Sequence, residues 1–274
     1  RPILFPSARS CLSLIFRYYK FNRSKNIFIN KWSPFCIQSL VTYYSNITTN
    51  ISDSHLILLN HRYGKNQFLK KNYKNKIIIE DSADSIHLDK KSFFTNSNSK
   101  FEIVSLPKII SSYSGGLIYT KDKIFYNFAK KFQKKNKLLG ILQSRKKMNS
   151  FKNQKKNNSW LLDEFNNTYL DQKSLNNIIF NLKNFEINKK IIINRRKIIE
   201  KTFNLKPYYT SKIGPVFIFP KKNFITKKKL PIYHIHSNKF IEIQKFEKHI
   251  LLPIHYSIKK DEFRRRLESL KKIK

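Results

Sequence analysis

An apolar run ending in two acids, Lys76-Ile-Ile-Ile-Glu80-Asp81, leads through Ser82 and Ala83 to Asp84, and a second run ends in Val104-Ser-Leu-Pro-Lys108. Two such runs predict neighbouring strands, each delivering a polar group at its carboxyl end. In an open α/β sheet that edge is where ligands bind. A carboxylate and an amine converging there suit a cofactor that needs both, and pyridoxal phosphate (PLP) is the leading example. Gly115-Gly116 follows soon after, in a chain with only five glycines. The pair marks a close backbone approach or a turn needing positive φ. Taken singly, Lys108 is one lysine among many and Asp81 an ordinary strand-end residue; order and proximity give them weight.

The elements that would position these groups are legible from periodicity. Near-continuous apolar runs at 55–60, 76–80 and 101–106 predict strands buried on both faces, with shorter strands at 26–30 and 117–119. Leu12, Ile15, Phe16 and Tyr19 share one helix face behind Pro6-Ser7-Ala8-Arg9-Ser10, where serine caps the start and the free N–H groups offer a phosphate cradle. A capped core helix explains the same residues. Helices are also predicted at 35–44 and 123–132, and the alternation of strand and helix points to a mostly parallel sheet covered by helices. From about Lys134 to Asn188 the chain turns polar, with an amphipathic piece at Leu175, Ile178, Ile179 and Leu182. A helix is predicted over 190–205, with Ile193, Lys197, Ile198 and Phe203 on its face and Pro207 ending it. Strands follow at 216–219 and 232–235. Ser257 is read as the cap of a last helix, with Asp261 and Glu262 in its first turns and Phe263, Leu267 and Leu270 as its stripe.

Composition bounds the function classes. The 274 residues are 40% hydrophobic and 14% aromatic, which excludes a disordered chain. A net charge of +39 suggests a polyanion partner, but Lys, Asn, Ile and Phe rise together, as AT-rich codon usage produces. No Asp or Glu precedes Asp53, and this segment resembles an organellar leader; a sequence fragment is the simpler account, since 4–19 already reads as folded. No apolar run approaches the roughly 20 residues of a membrane span. Cys11 and Cys36 show neither metal spacing nor a disulfide framework, so a cytoplasmic location is expected.

Five ordered segments carry a resemblance. Ile79-Glu-Asp-Ser-Ala-Asp84 is similar to I-E-D-x-A-[Q/D]. Ser105-Leu-Pro-Lys108 with Gly115-Gly116 is similar to a cofactor-lysine segment in which serine precedes lysine by three, S-x-R-K…D-G-G. Pro6-Ser-Ala-Arg9 takes the place of a P-S-G-[T/R] phosphate turn. His61-Arg-Tyr-Gly64 sits where a tyrosine–glycine pair follows the preceding strand, and Ile250-Leu-Leu-Pro-Ile-His255 resembles a closing L-P-L-H. Together they resemble the DegT/DnrJ/StrS-type sugar aminotransferases, which are fold-type-I PLP enzymes, from about Phe5 to the end, with the middle third unmatched.

The resemblance implies a three-layer α/β/α large domain over 1–140, a variable polar segment over 141–188 and a small C-terminal α+β domain over 189–274. It implies Lys108 as the cofactor-linked lysine, its amine activated by an enclosed site, and Asp81 as partner of the pyridinium nitrogen. Ser7, Ala8, Arg9 and Ser105 would hold the phosphate, Asp84 would lie near the ring oxygen, and Trp32 or Phe35 would stack on the ring. Glutamate would donate the amino group to a keto group of a nucleotide-linked sugar in surface-polysaccharide synthesis, and a homodimer would build the site from both subunits. Ala8, Pro107 and Ser114 depart from the pattern, so an inactive homologue is one alternative. A basic organellar ribosomal or RNA-binding protein is another, suggested by charge and aromatics but without an RNA-binding motif. A metal hydrolase using His234 and His236 is the third; it lacks a clear third ligand, and no resident metal is expected.

Overall fold

Strands whose side chains are apolar on both faces can pack only where both faces are covered. In the computed structural model, which describes residues 1–30, 33–64, 66–87, 94–135, 169–205, 212–219, 232–236 and 246–271, such strands form the centre of the main sheet. Its members are β1 (Pro2–Phe5), β2 (Asn26–Ile29), β3 (Asn46–Thr48), β4 (Leu56–Asn60), β5 (Ile77–Asp81), β7 (Phe101–Ser105) and β8 (Gly116–Thr120); β6 (Ile86–His87) lies outside it. The spatial order is β1-β8-β7-β5-β4-β2-β3. β8 alone runs antiparallel to its neighbours β1 and β7, while β7, β5, β4, β2 and β3 are mutually parallel. This is the mostly parallel α/β sheet that the alternation of elements predicts.

Period-two alternation divides β4 and β5 between two cores. Leu56, Leu58 and Ile79 face α1 (Ala8–Tyr18), α2 (Phe35–Tyr44) and α4 (Lys123–Lys135); Ile57, Leu59 and Ile78 pack against Ile51, Leu69 and Tyr73 on the other face. Each fully buried Leu or Ile contributes roughly 1.5–3 kcal/mol. Toward β7, Val104 meets α3 (Leu106–Ile110) and Ile178 of α5 (Gln172–Lys183). Within the described residues, a second core gathers α6 (Phe185–Thr202), β9 (Lys212–Ile213), β10 (Val216–Phe219) and α7 (Lys260–Lys271). β10 pairs with β12 (Phe246–Pro253), which also pairs with β11 (Ile232–His236). β9 pairs with β6 in a separate two-stranded sheet just beyond the end of β5.

Several sequence expectations are corrected. Leu106 opens α3 instead of closing a strand, so Lys108 stands in a short helix just past the sheet edge. α6 starts at Phe185 and ends at Thr202, where Asn204 adopts φ 51° and Leu205 N–H bonds Glu200 O; this left-handed stop precedes Pro207, which lies outside the described residues. Its buried positions are Lys189, Ile192, Arg195 and Ile199; of the predicted face, Ile193 packs against the second core and Phe203 is buried in it just past the helix end, whereas Lys197 and Ile198 are exposed. Arg195 takes an inward place because its guanidinium donates to the carbonyls of His255 and Ile258. In α5, Ile178 is buried but Ile179 and Leu182 are exposed, so the predicted stripe packs through one residue. Ser257 does not cap α7; its hydroxyl bonds His255 Nδ1 at 2.7 Å, and the helix begins at Lys260.

The glycine pair combines both of its expected roles. Gly115 adopts φ +125°, and a Cβ on Gly116 would fall 2.3 Å from Ser7 C and O. Gly116 therefore allows the β8 start to lie directly on the Ser7–Ala8 peptide. Gly116→Ala is expected to cost at least the 1–3 kcal/mol typical of overpacking, roughly, because the clash is with backbone. Urea denaturation against the unsubstituted protein measures it.

Candidate active site

Parallel strands end together, so their last residues share one edge. Asn60 pairs in register with Asp81, Asp81 with Ile103, and both Ser105 and Phe5 with Gly116. Asp81 is 1% exposed. Its Oδ2 accepts from Asn60 Nδ2 at 2.7 Å and its Oδ1 from the Ala83 N–H at 3.0 Å. Burial pushes its carboxyl up and Asp84 adds to this; the bonds from Ala83 and Asn60 and the charge of Lys108 oppose without cancelling it. Asn60, in turn, receives its backbone position from Asn30 Oδ1, which accepts its N–H at 2.9 Å. Sequence reasoning missed Asn60; its only signal is a polar residue closing an apolar strand, directly paired with Asp81 across the sheet.

Lys108 is brought to the same edge by α3, and its ammonium pairs with Asp84. The expectation of an amine activated by enclosure is corrected. The Lys108 side chain is 48% exposed, and although burial pulls its pKa down, the Asp84 ion pair and hydrogen bond outweigh that and hold it raised. In this state the lysine is a held cation. Asp84 is thereby accommodated: a carboxylate stands where the resemblance places glutamine, and it has a cationic partner.

Cys36, in the first turn of α2, is a further residue that spacing gave no reason to single out. Burial pushes its thiol up, Lys108 and Arg9 oppose, and Asp81 and Asp84 reinforce, which sets the sulfur within charge reach of all four. The neighbouring Phe35 is 53% exposed at the helix start. Trp32 lies outside the described residues.

The turn before α1 is built by the glycine pair. Ser7 caps the helix, its Oγ accepting from the Ser10 N–H at 3.1 Å. Gly115 N–H donates to Pro6 O at 2.8 Å and Leu106 N–H to Gly115 O at 3.0 Å, so Ser7, Ala8 and Arg9 are tied to the end of β7. Ser105 precedes α3 without a side-chain capping bond, and Ser114 Oγ is buried with no hydrogen-bond partner among the described residues. These groups fit PLP: a buried carboxylate for a ring N–H, a lysine beside it, and hydroxyls and helix N–H groups for a phosphate.

Behind Asp81, Glu80 is also buried. It accepts from His61 Nε2 at 2.9 Å, from the Thr95 and Asn96 N–H groups at 2.9 and 2.7 Å, and from Ser99 Oγ at 2.6 Å. Burial pushes Glu80 up, but the bond from His61 and the charge of Lys212, with Ser99's help, hold it well below the usual carboxylate range. His61 Nδ1 accepts from the Gln67 N–H at 2.9 Å, which leaves the proton on Nε2; burial lowers its pKa and keeps the ring neutral.

Compared with known families, residues 1–273 match one described as "Putative PLP-dependent aminotransferase". Among solved structures, DesV of S. venezuelae aligns with TM-score 0.66 and 10% identity, over 99% of this chain and 84% of its own. A DegT DnrJ EryC1 StrS aminotransferase from Brucella abortus gives 0.64 and 10%, over 99% and 85%. An E coli GDP-4-keto-6-deoxy-D-mannose-3-dehydratase with bound hydrated PLP gives 0.54 and 13%, over 80% and 67%. At these identities the likeness is one of fold. The sequence matches none of the curated proteins.

Two outcomes follow from the charges. Asp84→Asn removes the main influence raising Lys108, so its amine should titrate lower; the pH dependence of its acylation rate, read by peptide mapping, checks this. For His61 the folded value is lowered, so its contribution to stability is present above the ordinary 6.5 and lost as pH falls below it. Stability without cofactor should therefore drop on acidification from pH 6.5, and less steeply in His61→Gln, by denaturation at each pH.

Proposed function

Because the chain belongs to the family of PLP-dependent aminotransferases, we propose that it moves an amino group from glutamate to the keto group of a nucleotide-linked sugar, using Lys108 and Asp81. The observation that carries the assignment of residues is the buried Asp81 at one strand end with Lys108 delivered to the same edge. PLP, when bound, would supply an aldehyde carbon to carry the amino group and a ring that withdraws electrons from it. In this reading Asp81 holds a proton at the ring nitrogen, and its raised affinity for protons suits it to a cationic N–H donor. Lys108 Nζ would anchor the cofactor and, when freed, would take up and return a proton at the carbon that bears the amino group. Asp84 would hold that amine whenever it is not joined to the cofactor. Ser7, Ala8, Arg9 and Ser105 bind the phosphate, with Ser114 a further hydroxyl at hand. Asn60 orients Asp81 through its 2.7 Å bond. Phe35 and Trp32 are the candidates for stacking, and Cys36 lies within charge reach of Lys108, Arg9, Asp81 and Asp84.

A nucleotide-linked sugar is favoured by the motif resemblance, and the fold neighbour named for a GDP-linked keto sugar is consistent with it. The pathway would be surface-polysaccharide synthesis. The proposed organisation is a large domain over 1–140, a variable segment over 141–188 and a small domain over 189–274, with α6 (Phe185–Thr202) spanning the last boundary. A second copy would complete the site, which accounts for an aromatic at its rim as exposed as Phe35. No helix among the described residues is long and apolar enough to cross a membrane, and the free thiols of Cys11 and Cys36 suit a reducing cytoplasm.

The test is formation of 2-oxoglutarate from glutamate with a keto-sugar nucleotide as acceptor. Lys108→Ala should abolish it, and Asp81→Asn should lower kcat/KM about a hundredfold or more, the scale of losing one preorganised electrostatic group. Turnover by Lys108→Ala at the unsubstituted rate would contradict the assignment.

A further inference from the structure

Among the described residues, one fully buried charged side chain is a lysine. Lys212, in β9, is 0% exposed. Its Nζ lies 2.7 Å from Glu102 Oε1 and 3.4 Å from Glu80 Oε2, and it donates to Ser82 Oγ. His87, next to Lys212 in the β6–β9 pairing, approaches Glu102 with Nε2 3.6 Å from Oε1. Glu80, His87 and Glu102 bring ligand atoms within 4.8 Å of one another, a grouping that could hold a metal. Here the Lys212 ammonium bonds both carboxylates, so the cluster draws its positive charge from the chain itself.

What this cluster supports is the turn that carries Asp81 and Asp84. Glu80 precedes Asp81, Ser82 follows it, and β6 begins just after Asp84. The backbone beyond Lys212 also touches this turn: a Cβ on Gly214 would lie 2.8 Å from Asp84 O and 2.8 Å from Tyr63 C. Lys212 is thus the point where the C-terminal third is charge-locked to the loop behind the site. Without it, two carboxylates buried on adjacent strands would face each other with no cation bonded to both, Glu80 keeping only His61, the Thr95 and Asn96 amides and the Ser99 hydroxyl, an arrangement that costs far more than an intact pair.

We propose that Lys212 is a positioning residue for the cofactor site, supplying from the C-terminal third the buried counter-charge that fixes the Ser82–His87 turn and with it Asp81 and Asp84. This rests on the PLP-site reading only for its consequence in binding. The turn itself can be followed without cofactor. A purely space-filling lysine and a charge-compensating one differ in one respect: only the second is relieved by neutralising a partner acid.

The experiment compares Lys212→Met, Glu102→Gln and the double variant Lys212→Met/Glu102→Gln with the unsubstituted chain, fold being checked by far-UV circular dichroism. The first readout is amide hydrogen exchange of residues 82–87 without cofactor. Lys212→Met should accelerate it at least tenfold, and the double variant should return it to within a few-fold. The second readout is the PLP concentration needed for the visible band of lysine-linked cofactor, expected to rise tenfold in Lys212→Met and to recover in the double variant. Unchanged exchange in Lys212→Met, or no recovery in the double variant, overturns the proposal, as does failure of both to fold. If only the double variant folds, compensation is upheld. A protein that shows the exchange pattern but never develops the band refutes the PLP-site reading while leaving the lock intact.

Discussion

Burying two consecutive acids, Glu80 and Asp81, at the end of one strand is the constraint on which the site depends. Successive residues on a strand point to opposite faces, so each carboxylate needs its own partners. Glu80 has His61, two amides, the Ser99 hydroxyl and Lys212, and is held ionised. Asp81 has an amide and a side-chain amide in contact, with its cationic influence coming from Lys108, and burial prevails. The same residue chemistry, placed one position apart, gives one fixed anion for structure and one carboxylate with unmet affinity for a positive donor. That asymmetry suits a structural role for the first and a cofactor role for the second.

The remaining site elements serve the same edge. The glycine pair lets β8 lie against the Ser7–Ala8 peptide, which sets the start of α1 beside the end of β7. α3 then lifts Lys108 just past that edge, where Asp84 holds it. From the other side, His255 reaches the same short helix, with Nε2 3.4 Å from Ile109 O, so the closing Pro253-Ile-His255 segment also bears on the lysine's support. The net charge of +39 plays little part in this arrangement. The charges that matter are the few placed where water is excluded, since solvated lysines on outer faces are screened.

β2, β4, β5, β7 and β8 and the helices α1, α2 and α4 were legible because apolar periodicity dictates them directly: β4 and β5 are apolar on both faces, and α1 carries its cap and its stripe together. The edge strands β1 and β3 and the short α3 were not, being too brief to show a period. Asp81 and Lys108 stood out because strand ends define an edge. The face of α6 was legible only in part: Ile193 and Phe203 pack into the second core, Lys197 and Ile198 do not. Arg195 is long enough to sit inward and satisfy the carbonyls that follow β12, a role no hydropathy pattern reveals. Lys212 was invisible for a related reason, one lysine in a lysine-rich chain, distinguished only by where the fold buries it. Asn60 and Cys36 became site residues through pairing register and helix placement, which single-chain spacing does not encode. The charge state of Lys108 was misjudged because burial, though the largest single influence on it, is outweighed by the acids beside it, Asp84 foremost.

The most direct measurement is borohydride reduction of the protein incubated with PLP, followed by peptide mapping of the reduced cofactor. The account predicts one labelled residue, Lys108, and loss of that label in Asp81→Ala at PLP concentrations that saturate the unsubstituted chain. Label scattered over surface lysines, or a single label elsewhere, would contradict it, because the buried carboxylate at the β5 edge would then have no part in selecting the lysine.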